Sequence, residues 1–321
     1  MKKRTKKILK IILPLLLGIF LIWYSIQSAT PQERKELLNN ILTADPFWVA
    51  VSFILGTLSH LSRAYRWKFM LEPMGYKPKF ANNFMAVMVG YLANFGIPRS
   101  GEVLRAATLT SYEKVPFEKG FGSIISERIA DLLALFLIVL IALILQTDTL
   151  LTYFEANNIN PVLSIFLLLL LIGLGTFGLY FVKKSNLPLI VRFKKMAAGL
   201  LEGMRSIIKM KKKWAFLFHT VFIWVMYVLM FYAITFSIPE TAGAGTGAIM
   251  AAFIAGSFAI SATNGGIGVY PVAIGAVLML YGISKQSGEA FGWITWTTQT
   301  MVVLIFGGLS FLFLPIFNRK R

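Results

Sequence analysis

Six uninterrupted apolar stretches, at about 8–27, 47–67, 123–146, 161–182, 214–238 and 290–314, constrain this chain more than any other feature. A bilayer core about 30 Å thick takes roughly 20 apolar residues as helix, because backbone polar groups cannot go unpaired in lipid. Composition agrees: 57% of the 321 residues are apolar and 14% charged, with a mean hydropathy of +0.70. Those values exclude an ordinary soluble domain and a disordered chain. The expected fold is an all-α polytopic membrane protein, a single integral membrane domain over 1–321. Two further regions, about 80–112 and 247–282, are apolar but broken in the middle. The first break reads Gly96-Ile97-Pro98-Arg99-Ser100-Gly101-Glu102, the second Asn264-Gly265-Gly266-Ile267-Gly268-Val269-Tyr270-Pro271. Each predicts two short helices joined by a tight turn, either a re-entrant hairpin or two crossings.

The formal charge of +18, from 32 Lys and Arg against 14 Asp and Glu, could point to nucleic acid, but the positions of the charges do not. With residues 1–10 cytoplasmic and each full stretch crossing once, 29 of the 32 basic residues fall on the cytoplasmic side or just inside it. Only Arg34, Lys35 and Lys285 lie outside, and the outer segments 146–161 and 237–247 carry no Lys or Arg. That is the positive-inside pattern of a cytoplasmic-membrane protein, here read as bacterial, with both termini inside. It leaves no role for nucleic acid. The first apolar stretch is longer than a usual signal-peptide core and carries Trp23 and Tyr24 at its end, so it reads as an uncleaved anchor. Over 187–212 the period changes. Phe193, Met196, Ala197, Leu200, Leu201, Met204, Ile207 and Ile208 recur at spacings of three and four. Basic residues take the other faces, which predicts an amphipathic helix on the inner leaflet.

Charges inside apolar segments are expensive, about 2.5–3.5 kcal/mol each at mid-membrane on insertion scales. They concentrate in one part of this chain. Arg99, Glu102 and Arg105 are spaced by three, so a helix opening at Ser100 carries them as one stripe. Glu127, Arg128 and Asp131 stand at the head of the third full stretch, with Glu127 and Asp131 on one face. Arg63 and Arg66 add two cations near the inner end of the second stretch. The six charges Arg99, Glu102, Arg105, Glu127, Arg128 and Asp131 would cost on the order of 15–20 kcal/mol against lipid, so they must pair or line a wet cavity. Two readings follow. One is a set of helix-packing ion pairs near the inner interface. The other is a cytoplasm-facing pocket in which Arg99 and Arg105 hold an anionic head group, with Glu102, Glu127 and Asp131 positioning the arginines or receiving a coupling proton.

The second break is neutral and glycine-rich. Asn264, Gly265, Gly266 and Gly268 allow close backbone approach, and Tyr270 and Pro271 open the next helix. It reads either as a polar site at converging helix ends or as a small-residue packing crossing. Two interrupted segments in different halves, entering from opposite sides, have the sign relation of an inverted repeat and mark a transporter site. The chain has no Walker loop, His-Glu-x-x-His or Gly-x-Ser-x-Gly turn. It has no cysteine, and its two histidines, His60 and His219, each read as a hydrogen-bonded structural residue. Neither a metal nor another cofactor is expected.

The run from Asn94 to Glu102, with Arg105, Ser126-Glu127-Arg128-Ile129-Ala130-Asp131, Arg66-Trp67 and Gly265-Gly266-Ile267-Gly268 with Pro271, resembles the lysylphosphatidylglycerol synthase transmembrane family. Thr263-Asn264 departs from that pattern, where a proline commonly precedes the glycines. The resemblance implies a flippase-like membrane domain. In multi-domain members a separate cytoplasmic domain aminoacylates phosphatidylglycerol; these 321 residues hold no counterpart, so synthase activity is not expected. The functional expectation is a lipid translocase moving a phospholipid or lipid-linked head group between leaflets, with membrane lipids as partners. The alternatives are an intramembrane enzyme that modifies lipid head groups, and a scaffold for a separate synthase or glycosyltransferase.

Overall fold

The structure, a computed structural model, describes residues 29–97, 100–147, 210–263 and 265–319, together with residues 16, 20, 23 and 27. The stretch at 161–182, almost all of 8–27 and nearly all of the amphipathic segment at 187–212 therefore lie outside the described residues. Among those described there is helix and no strand. The helices are α1 (Pro31–Leu42), α2 (Pro46–Leu71), α3 (Phe80–Gly96), α4 (Gly101–Glu113), α5 (Phe117–Leu145), α6 (Lys213–Thr235), α7 (Pro239–Ala242), α8 (Thr246–Ala262), α9 (Val269–Met279) and α10 (Lys285–Phe317).

Local chemistry fixes several of these ends. Thr30 and Glu33 form a reciprocal capping box ahead of Pro31, and Asp45 caps the Phe47 amide ahead of Pro46. A short 3₁₀ turn, Glu72–Met74, ends α2 at Gly75, whose φ of 88° glycine tolerates best. Sequence periodicity predicted no helix over 31–42. The polar helix α1 is found there instead, bent by 67° from α2.

Two described helices, α6 and α10, are each long and apolar enough to cross a bilayer by themselves. The membrane-protein class stands; of the six full crossings expected from the sequence, those at 8–27 and 161–182 lie almost wholly outside the described residues, and the described residues give those two clear spans and the bent α1–α2 pair. Helix α2 carries the buried Arg63 and Arg66 among its apolar residues. Large apolar side chains such as Phe136, Leu137 and Ile144 on α5 and Phe311, Leu312 and Ile316 on α10 remain exposed, as a lipid-facing surface requires.

The chain divides into two compact units, Met1–Glu127 with Met210–Arg321, and Arg128–Lys209. In the first, α2 packs along α6, α3 folds back on α4, α8 folds back on α9, and α10 packs against α1, α2, α3 and α9. Glycines set the close approaches. A Cβ on Gly101 would lie 2.2 Å from the Gly90 carbonyl oxygen, and one on Gly292 would lie 2.5 Å from the Pro271 Cα. Only a bare backbone permits these crossings. The described part of the second unit consists of the remaining turns of α5 and the residues to Thr147.

Candidate functional site

Four side chains flagged in the sequence come together: Arg63 and Arg66 of α2, Arg105 of α4 and Glu127 of α5. The Glu127 carboxylate is fully buried, and the arginines are 0–2% exposed. Arg63 Nη1 donates to Glu127 Oε1 at 2.8 Å. Arg105 grips both oxygens, Nη1 on Oε1 at 3.2 Å and Nη2 on Oε2 at 3.0 Å. Arg66 Nη2 stands 3.7 Å from Oε1. Two guanidiniums hold the carboxylate, out of water, by charge-assisted bonds of the strong, oriented kind, and the third stands at ion-pair distance.

The helix geometry explains the convergence. Arg63 and Arg66 are three apart on α2, so both project from one face toward α5. Arg105 leaves α4 one turn after Gly101 and lies against Gly90 of α3, where its Cγ fills the position a Cβ would need. Aromatic and hydroxyl groups complete the setting. The Arg105 guanidinium carbon lies 4.3 Å from the Trp67 ring centroid, and that indole donates to Ser123 Oγ at 2.8 Å. Arg66 donates to Thr220 Oγ1 at 2.8 Å and lies 5.1 Å from the Phe216 centroid. Arg63 reaches Tyr227 Oη at 3.4 Å. These cation–π contacts strengthen when desolvated, as here.

The other predicted residues are distributed differently. Arg128 and Asp131 form an i, i+3 pair at 3.9 Å in the second unit. Glu102 lies in the first turn of α4, half-buried. Arg99 and Asn264 lie outside the described residues. At the second break, Gly265, Gly266 and Gly268 have φ of 71°, 80° and 71°, the left-handed region that favours glycine. The turn's polar groups are engaged. Gly266 N donates to Thr263 Oγ1 at 3.1 Å, and Trp296 Nε1 donates to the Gly265 carbonyl at 2.8 Å. Tyr270 is buried and receives a bond from Gln299 Nε2 at 3.2 Å, while Pro271 packs on Gly292.

The two breaks also adjoin one another. The Phe95 ring, at the end of α3, lies 3.4 Å from where a Cβ on Gly265 would sit. Two helical hairpins, α3–α4 and α8–α9, thus meet at their turns. Residues 11–308 match the family model described as the lysylphosphatidylglycerol synthase TM region.

The chain belongs to that family. Among curated relatives, a UPF0104 membrane protein of Methanocaldococcus jannaschii is 30% identical over 30% of this chain and 30% of its own length. The glycosyltransferase AglD of Haloferax volcanii is 28% identical over 32% of this chain and 17% of its own. A UPF0104 membrane protein of Methanothermobacter thermautotrophicus is 27% identical over 34% of this chain and 32% of its own. The match thus spans a third or less of each relative's length. No solved structure matches this member of the family.

Sequence reasoning missed Trp67, Thr220, Phe216 and Tyr227 as members of the site. Three of them come from α6, whose continuous apolar run hides a face that packs on α2. Of the histidines, His219 is bonded as expected, Nδ1 to Ser62 Oγ at 2.8 Å. His60 differs: its buried Nδ1 has no hydrogen-bond partner, and its ring packs 5.1 Å from Tyr91. No group of three or more His, Cys, Asp or Glu among the described residues could hold a metal ion.

Proposed function

We propose that this protein translocates a lipid with an anionic or zwitterionic head group across the cytoplasmic membrane. The observation that carries the reading is the meeting of two hairpin turns, Phe95 against Gly265, together with a buried carboxylate held by three arginines, one of which, Arg105, stands on the first hairpin. A lipid phosphodiester offers two non-bridging oxygens that a guanidinium can grip in the same two-pronged way as the Glu127 carboxylate, so it can replace that carboxylate on Arg63, Arg66 and Arg105. Glu127 then acts as an internal stand-in for the cargo, holding the arginines in register when no head group is bound. Parting of the hairpins exposes the cluster to one leaflet, and their rejoining returns it to Glu127.

The proposal includes six full crossings with the α3–α4 hairpin entering from the cytoplasm, the α8–α9 hairpin from outside, and both termini cytoplasmic. The charge distribution supports that orientation. Without a Walker loop, movement runs downhill or is coupled to protons or membrane potential. The partial likeness to a glycosyltransferase favours a second reading, head-group transfer onto a lipid.

Leaflet exchange in liposomes bearing the purified protein separates the two. Labelled phosphatidylglycerol, its lysyl form and a short polyprenyl phosphate are compared without metal or nucleotide. Faster exchange of one lipid, abolished by Glu127→Gln and by Arg99→Ala, is the expected result. Exchange no faster than in empty liposomes refutes translocation. A covalently altered lipid establishes transfer chemistry instead.

A further inference from the structure

A second feature lies away from the arginine cluster, where α1 packs against α10 beside the start of α2. The bend between α1 and α2 leaves a groove of about 660 Å³ walled by Leu37 and Ile41, by Val49 and Phe53, and by Val272 and Trp293. That volume is in the range of small-molecule sites. Its described lining is apolar except for two threonines and a single charged side chain, Arg34, which stands in the first turn of α1.

The way α1 is held keeps the groove open. Polar bonds tie it to the start of α10, Asn40 Nδ2 to Ser287 Oγ at 3.0 Å and Gln286 Nε2 to Glu33 Oε1 at 2.9 Å. No residue of α1 is fully buried; Leu37 and Ile41 are half-buried at the groove wall, and Leu38 is exposed. Glu33 is occupied by Thr30 and Gln286, while Arg34 uses its Nε on the Ala29 carbonyl at 3.1 Å. Among the described residues nothing accepts a hydrogen bond from the guanidinium's terminal nitrogens. Arg34 is also one of three basic residues, with Lys35 and Lys285, that the orientation above puts on the outer side. A cation retained against the positive-inside bias, at an apolar groove, matches an anion that carries a hydrocarbon chain.

We infer that this groove binds one membrane phospholipid, an acyl chain between α1 and α10 and its phosphate at Arg34. The groove also touches the second hairpin: Val272 follows Pro271, and Trp293 lies 5.9 Å from Trp296, which bonds Gly265. A lipid here sits beside the turn where the hairpins meet. The inference goes beyond translocation and is read without transport.

The test is native mass spectrometry of the full-length, delipidated protein in detergent, titrated with dioleoyl phosphatidylglycerol or with the diacylglycerol of the same chains. One phosphatidylglycerol should be retained with at least about tenfold preference over diacylglycerol, the scale of one charge-assisted contact. Arg34→Gln should abolish the preference, and Val49→Trp, which fills the groove, should abolish retention of both. Leaflet exchange no faster than in empty liposomes, beside an intact Arg34-dependent lipid preference, would overturn translocation and not this site. An unchanged preference in Arg34→Gln overturns the inference even if Val49→Trp fails to fold. A delipidated dimer that excludes lipid also overturns it, assigning the groove to a second copy.

Discussion

Replacing Glu127 by glutamine keeps the shape of the side chain and removes the carboxylate on which Arg63, Arg66 and Arg105 converge. The contact distances of 2.8, 3.0 and 3.7 Å set the size of what is lost. At an effective dielectric constant of about 20, they correspond to about 5.9, 5.5 and 4.5 kcal/mol of attraction. Most of that sum offsets the cost of taking four ions out of water. The net effect of removing one partner of a buried ion pair is about 3–5 kcal/mol, because the opposite charge stays buried without compensation. At about 2 °C per kcal/mol for a domain of this size, the midpoint of thermal unfolding should fall by about 6–10 °C. The assay is the loss of the monodisperse peak on size exclusion after heating in detergent, wild type beside variant. The companion Glu127→Gln/Arg105→Gln double variant should recover part of the loss, since it removes one uncompensated cation with the carboxylate. A fall of less than 2 °C in the single variant, without recovery in the double, would refute the reasoning: the arginines would then be hydrated and the carboxylate dispensable.

Three shorter predictions concern other parts of the molecule. Gly101→Ala sets a Cβ 2.2 Å from the Gly90 carbonyl, so the α3–α4 hairpin must open; overpacking of that kind costs about 1–3 kcal/mol, read as a lower melting midpoint. Glu240, just outside α6, has its carboxyl pKa held below the ordinary 4.5; burial raises it, and bonds from the Ser284 and Ser287 hydroxyls and the Ser284 amide outweigh that. A depressed folded value means the contribution is present above the unfolded pKa and lost as pH falls through the folded one, so melting midpoints should decline below about pH 4.5 and decline less in Glu240→Gln. The chain has no cysteine, so single cysteines at Lys211 and Lys35 give a clean topology test: in intact cells an impermeant maleimide should label Lys35→Cys and spare Lys211→Cys.

The parts of the fold legible in the sequence are those where lipid imposes a hard rule. Apolar length located α6 and α10, and interrupted apolar length located the breaks between α3 and α4 and between α8 and α9. Helix α1 was not legible, because it is polar and too short to cross a bilayer by itself. Its signals are a capping box and Pro31, which mark a helix start without saying where the helix lies. Intramembrane charge likewise found Arg63, Arg66, Arg105 and Glu127, since each is too costly to be incidental. Charge could not find Thr220, Phe216 and Tyr227, which carry no signature in a run that is apolar throughout.

What the sequence left open between ion pairing and head-group binding, the geometry turns into one question. A cluster built only to pack helices needs each charge matched once. Here Arg105 already gives Glu127 a two-pronged partner, and Arg63 bonds the same oxygen at 2.8 Å with Arg66 behind it. Three guanidiniums gathered around the Glu127 carboxylate repel one another, and replacement of a buried ion cluster by apolar packing would commonly be as stable. Each arginine is oriented separately as well, by Trp67, Thr220 and Tyr227. Scaffolding that holds donors in place independently of the group they bind is what a site with an exchangeable anion requires. The arrangement therefore fits a receptor whose carboxylate can yield to phosphate better than a rivet between helices.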